Sequence, residues 1–114
     1  MTRKDIYGEN AERATLGGIL SNGSTYVIVR GFLQATDFYA SRNVTICQAF
    51  DAIAQRSEPI DFSSTIHELE GRNQLEAVGG IEYLTSLLNY VTDAEKVEYY
   101  ARHVQRLALR RRVA

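Results

Sequence analysis

Residues 78–113 read VGGIEYLTSLLNYVTDAEKVEYYARHVQRLALRRRV, and the spacing predicts two helices joined by a tight turn. The first is expected from about Ile81 to Tyr90 and the second from about Asp93 to Arg112. Thr92 and Glu95 have the spacing of a capping box, in which the hydroxyl and the carboxylate each take a free backbone N–H. Asp93, Glu95 and Glu98 fall near the positive end of the second helix, and Arg110, Arg111 and Arg112 near its negative end. On the first helix Ile81, Leu84, Leu88 and Val91 make one apolar stripe, with Tyr83, Leu87 and Tyr90 beside it. On the second, Ala94, Val97, Ala101, Val104 and Ala108 make a small-residue face flanked by Tyr100 and Leu107. A surface helix needs one apolar stripe, so helices apolar on more of their girth are covered from more than one side. Pattern alone leaves two arrangements open: a pair folded back on its own core, or one whose spare face meets a second subunit.

Working outward, Met1 to Glu9 is polar and is expected to be a loose arm. Asn10 is placed to cap a helix through AERATLGGIL to about Ser21, with Leu16, Ile19 and Leu20 inward. Gly17 and Gly18 inside it cost about 1 kcal/mol each relative to alanine. That cost is tolerated where another backbone comes close, and Ala11, Ala14 and Gly18 share a face. Ser24 to Phe32 is β-branched and aromatic, yet no convincing partner strand exists elsewhere, so a short helix or irregular segment is expected. Asp37-Phe38-Tyr39 reads as a turn driving two rings into the core. Ser41 to Arg56 is helical, with Ile46, Cys47, Phe50, Ile53 and Ala54 on one face. Asp61 is a good cap for a helix from Phe62 to about Arg72, with Phe62, Ile66 and Leu69 inward, and Asn73 suits the left-handed residue that closes it. Gln74 to Val78 is a short turn stopped by Gly79-Gly80. The fold class is therefore all-α: a small helical bundle over residues 10–78, followed by a C-terminal helical hairpin over 79–114.

A chain of 114 residues makes one domain with a modest core. A net charge of −1 argues against a strongly basic nucleic-acid surface. The single cysteine cannot form an internal disulfide, which fits a cytoplasmic location, and neither a signal peptide nor a membrane span is expected. No catalytic constellation is apparent. His67 lacks a second ligand at metal-binding spacing and reads as a solvated residue. His103 is exposed or makes an interface hydrogen bond. Cys47 reads as a small buried hydrophobe. No phosphate-binding loop of the G-x-x-x-x-G-K-[ST] kind is present. Arg102, Arg106 and Arg110 line one side of the last helix and read as a solvated helix end in preference to a nucleic-acid contact.

Taken in order, four segments resemble the N-terminal domain of the DnaB-type replicative DNA helicase. They are Ala11–Leu20, like the family's AE-x-x-x-LGG run; Asp37-Phe38-Tyr39, like its DFY; Pro59-Ile60-Asp61-Phe62 with Leu69, Leu75 and Val78-Gly79-Gly80-Ile81-Glu82-Tyr83-Leu84, like PID followed by VGG-x-x-YL; and Val97–Ala101 with the basic run after it. The resemblance covers nearly the whole chain. It implies a helical globular part plus a hairpin, with hairpins of neighbouring subunits pairing so that dimers, three to a ring, form a collar on a hexamer. It implies primase and the helicase loader as partners, and little or no DNA contact by this domain. It places ATP and Mg in a separate RecA-like motor absent from this chain, which is then not itself an enzyme. The hairpin pairing implies a subunit interface of Leu84, Leu87, Tyr90, Tyr100, Val104 and Leu107. Within that set Leu87, Tyr100 and Leu107 are expected to face the neighbour, while Ala94, Val97, Ala101 and Val104 close the hairpin on itself. Three departures stand out: Ser24 to Phe32 is more β-branched and the spacing to Asp37 slightly longer, Asn43 stands where the family often has His, and Asn73 where it often has Gly. A free-standing regulator or loader-like protein using the same hairpin is the alternative, and a small nucleic-acid binder using the arginine run a weaker third.

Overall fold

The two glycines inside the first helix explain the architecture. In the computed structural model, which describes residues 8–90 and 93–113, α1 (Glu9–Ser21) lies at the centre and touches every other α-helix. These are α2 (Thr25–Arg30), α3 (Ser41–Gln55), α4 (Phe62–Gly71), α5 (Gly80–Leu87) and α6 (Ala94–Val113), with a 3₁₀ turn at Ala35–Asp37. No strand occurs among the described residues. A Cβ on Gly17 would sit 1.9 Å from the Leu87 carbonyl oxygen of α5, and one on Gly18 would sit 2.1 Å from Val97 Cγ2 of α6. The glycines thus let two neighbours approach α1 from adjacent sides.

The fold class is all-α, as expected, and α5 and α6 follow the bundle as its last two described helices. α5 and α6 lie against α1 rather than against each other, and their buried residues belong to the same core as the rest. Tyr83, Leu84 and Leu87 of α5, and Val97, Ala101 and Val104 of α6, join Leu16, Ile19, Ile46, Phe50, Ile53 and Leu69. Residues on both sides of positions 78 and 79 contribute to this one core. A 20-residue helix is about 30 Å long.

Local details follow the chemistry of the chain. Ser24 to Phe32 contains the short helix α2, where the missing strand partner outweighs β-propensity; Thr25 and Val29 turn inward. Asp61 caps α4 by accepting the Ser64 N–H at 2.7 Å. Asn73 closes that helix with φ 58°, a left-handed conformation Asn tolerates. Three expectations need correcting. α1 begins at Glu9 with Gly8 at its cap, so Asn10 lies inside the first turn, and Gly8 is buried rather than part of a loose arm. Of the aromatic pair only Phe38 enters the core; Tyr39 is 50% exposed, and the residue turned inward beside it is Asp37. The first helix of the pair ends at Leu87, short of Tyr90. The capping partner Thr92 lies outside the described residues, and the Glu95 N–H donates to Asp93 Oδ1 at 3.0 Å.

Candidate interaction face and the polar cluster beneath it

The six residues expected at a subunit interface part company. Leu84, Leu87 and Val104 are 0%, 0% and 2% exposed, so within the single chain they are core residues. They fall on the arcs of α5 and α6 turned toward α1, and burial on one's own domain satisfies an apolar side chain as fully as burial on a partner. Tyr100 and Leu107 are half-buried on one flank of α6. Tyr90 is exposed, and its hydroxyl accepts from Arg13 at 3.3 Å. Val97, Ala101 and Val104 close onto α1, not onto α5.

The outward side of α6 carries a different set. Glu95, Tyr99, Arg102, Arg106, Leu109 and Val113 are all exposed and recur at i, i+4, i+7, i+11, i+14 and i+18. This is the heptad spacing that keeps side chains on one line for a partner helix. Tyr99, Leu109 and Val113 are 65%, 51% and 83% exposed, high values for large apolar residues. A shallow groove of about 380 Å³, lined by Glu95, Glu98, Tyr99, Arg102 and Arg106, runs along the N-terminal half of the stripe. Its acidic residues, Glu95 and Glu98, lie toward one end and its arginines, Arg102 and Arg106, toward the other. The spacing was readable in the sequence. Two arginines interrupt its apolar content, however, and the uninterrupted alanine–valine face draws the eye instead.

The far flank of α6 straps down the irregular segment between α2 and α3. The Arg102 guanidinium lies 3.8 Å from the centre of the Phe32 ring, and Gln105 Nε2 donates to the Phe32 carbonyl at 3.0 Å. Arg111 donates to the Asp37 carbonyl at 2.7 Å, and Arg112 pairs with the Asp37 carboxylate. Three arginines of the basic run, Arg102, Arg111 and Arg112, therefore engage this chain's own residues.

Beneath this segment lies a buried polar cluster drawn from three of the quoted motifs. Glu12 is 1% exposed and accepts the N–H of Tyr39 at 2.5 Å, the N–H of Ala40 at 3.3 Å and Asn43 Nδ2 at 2.8 Å. Asn43 in turn accepts the Tyr83 hydroxyl at 2.6 Å. Asn43 suits this bridge because its amide offers a donor to the carboxylate and an acceptor to the phenol. An imidazole also offers one of each, which accounts for Asn standing where the family often has His. Burial raises the Glu12 pKa above the usual carboxylate value, and the three hydrogen bonds oppose that rise. Burial likewise raises the Tyr83 pKa, countered first by Arg42, whose guanidinium lies 3.9 Å from the ring centre. The cluster has no nucleophile beside a base. It organises the fold.

The other candidates behave as bland residues. His67 is exposed and His103 half-buried with Arg106 at 3.4 Å. Cys47 is 2% exposed, and burial pushes its thiol up to about 12. Among the described residues no cluster of His, Cys, Asp or Glu could hold a metal ion, and no helix is long and apolar enough to cross a membrane.

Comparison with known proteins gives a consistent result. The profile of one family, the DnaB-like helicase N terminal domain, matches residues 4–106. The replicative DNA helicase DnaB of Geobacillus stearothermophilus and the replicative DNA helicase DnaC of Bacillus subtilis (strain 168) are each 37% identical over 103 residues, covering 90% of this chain. The chain spans only 23% of the length of either. The crystal structure of the N-terminal domain of DnaB helicase from Mycobacterium tuberculosis superposes with a TM-score of 0.87 at 33% identity, over 92% of this chain and 76% of that one.

Proposed function

The chain belongs to the DnaB-like helicase N-terminal domain family, and from that premise we propose that it is a collar domain that joins subunits of a hexameric, cytoplasmic replicative helicase and docks primase. In this reading ATP-driven unwinding belongs to a motor outside these residues, and the domain itself hydrolyses nothing. The observation that carries the assembly role is the exposed heptad stripe of α6. A second copy running antiparallel, in the register that brings Tyr99 against Leu109, would set Glu98 opposite Arg110 and Glu95 beside Val113. Such a two-fold contact is self-complementary, as closed pairs require. It also explains why three large apolar side chains stand in water at heptad spacing. The helicase loader is expected to act on the same assembly, with DNA contact by this domain weak, since several of the arginines are already engaged within the chain.

The test is the mass of the isolated chain by light scattering over a concentration series. The wild-type chain is expected to rise from 12.8 kDa toward twice that mass. Tyr99→Glu and Leu109→Glu are expected to stay monomeric with an unchanged melting temperature. Burial of one such side chain contributes about 1.5–3 kcal/mol, enough to dissolve a small interface. A wild-type chain that is monomeric at every concentration, or variants that pair as well as it does, would remove the assembly role. Purified primase added to the wild-type chain tests the docking role separately, and no co-elution would count against it.

A further inference from the structure

We propose that Asp37 is a latch for the last turn of α6, able to open while the rest of the helix stays in place. Up to Ala108 the helix is anchored by apolar burial: Val97, Ala101, Val104 and Ala108 are each 2% exposed or less. Past that point the anchoring changes character. Leu109, Arg110, Arg112 and Val113 are exposed and Arg111 is half-buried, so no described side chain beyond Ala108 enters the core. The turn is instead fastened by polar contacts to the 3₁₀ turn. Asp37 has a 5% exposed side chain, whose Oδ2 accepts the Gln34 N–H at 2.8 Å while Oδ1 takes Arg112. The Asp37 carbonyl takes Arg111, whose guanidinium lies 5.2 Å from the centre of the Tyr39 ring.

The two halves of this fastening differ in their access to water. The acceptor is buried, but the side chain of Arg112 is 53% exposed. Ions can therefore compete for the guanidinium, and an exposed donor is released at little cost. When it leaves, Asp37 keeps the Gln34 N–H, so opening does not strand a wholly unpaired carboxylate. Local opening is the expected behaviour of a segment with few buried contacts. The consequence rests on the self-association reading above: Leu109 and Val113 are the last two positions of the outward stripe, and both lie past Ala108. A closed latch keeps them in line with Tyr99, and an open one withdraws them.

Amide hydrogen exchange on the 114-residue chain, at a concentration where it is monomeric, tests the latch apart from assembly. An Arg111→Gln/Arg112→Gln double variant and an Asp37→Asn variant are compared with wild type and with Arg106→Gln, which lies off the latch. Exchange of amides 110–113 is expected to quicken roughly tenfold in both latch variants, and in wild type on going from low to high salt, with amides 98–108 and the Arg106→Gln chain unchanged. Unchanged exchange at 110–113 in the double variant overturns the proposal. So does acceleration spread through residues 98–108, or a final turn already unprotected in the wild-type chain. Failure of the chain to dimerise would count against the assembly role and leave this result standing.

Discussion

Replacing Glu12 with alanine is expected to lower the unfolding free energy by about 3 kcal/mol, because it strands the Tyr39 and Ala40 N–H groups and the Asn43 amide in a buried site. Water entering the vacated space recovers part of a larger loss. That is a substantial fraction of the 5–15 kcal/mol typical of a domain, and urea unfolding measures it directly. Glu12→Gln is expected to cost less, since it keeps one acceptor oxygen but turns an amide donor toward a backbone donor. The same carboxylate gives a pH signature. Its folded pKa is raised above the usual value, so the folded state binds its proton more tightly than the unfolded state does. The stabilising proton is present in full below the unfolded pKa, and its contribution is lost as pH rises through the folded one. Between those two values the wild-type chain should lose stability with rising pH relative to Glu12→Gln. Identical slopes for the two proteins across that window would show that Glu12 does not titrate as the burial argument requires.

Gly17→Ala is expected to destabilise by about 3 kcal/mol, although alanine is the better helix former. The added Cβ meets the Leu87 carbonyl oxygen, a backbone atom of α5 that yields only if the helix moves. Gly18→Ala meets the Val97 side chain instead, so Val97→Ala in the same chain should recover much of the loss. No side-chain truncation should rescue Gly17→Ala. Thermal melts of the two single variants and the Gly18→Ala/Val97→Ala pair decide the matter: equal rescue at both positions would mean that neither obstacle is the one identified.

These two sites mark how far the sequence could be read. Gly17 and Gly18 announced a close approach and Val97 stood on a small-residue face, but local periodicity does not say which faces meet. The small face of α6 fits a neighbouring α5 or a distant α1 equally well, so spacing located the two helices and left their packing partner open. The Asp61 cap and the left-handed Asn73 were legible because each is settled within a few residues. Glu12 was not, since a charged residue in a helical pattern reads as solvated and its partners lie 27 to 31 positions away. Asp37 and Tyr39 exchanged their expected places because a 3₁₀ turn directs successive side chains differently from the turn that was assumed. Tyr99 and Tyr100 differ by one position and about 100° of helix, enough to put one in water and the other against the core.

The central position of α1 has a consequence for how the molecule is made. α1 is synthesised before the helices that pack on it, yet its Gly18 face is covered by α6, the last of the described helices. At synthesis rates of about 5–20 residues per second, the Gly18 face waits several seconds for Val97 to emerge. During that interval the nascent chain shows an apolar, glycine-lined groove to whatever is nearby. Closure of that face thus waits for a helix encoded far downstream, which returns to seal the first one.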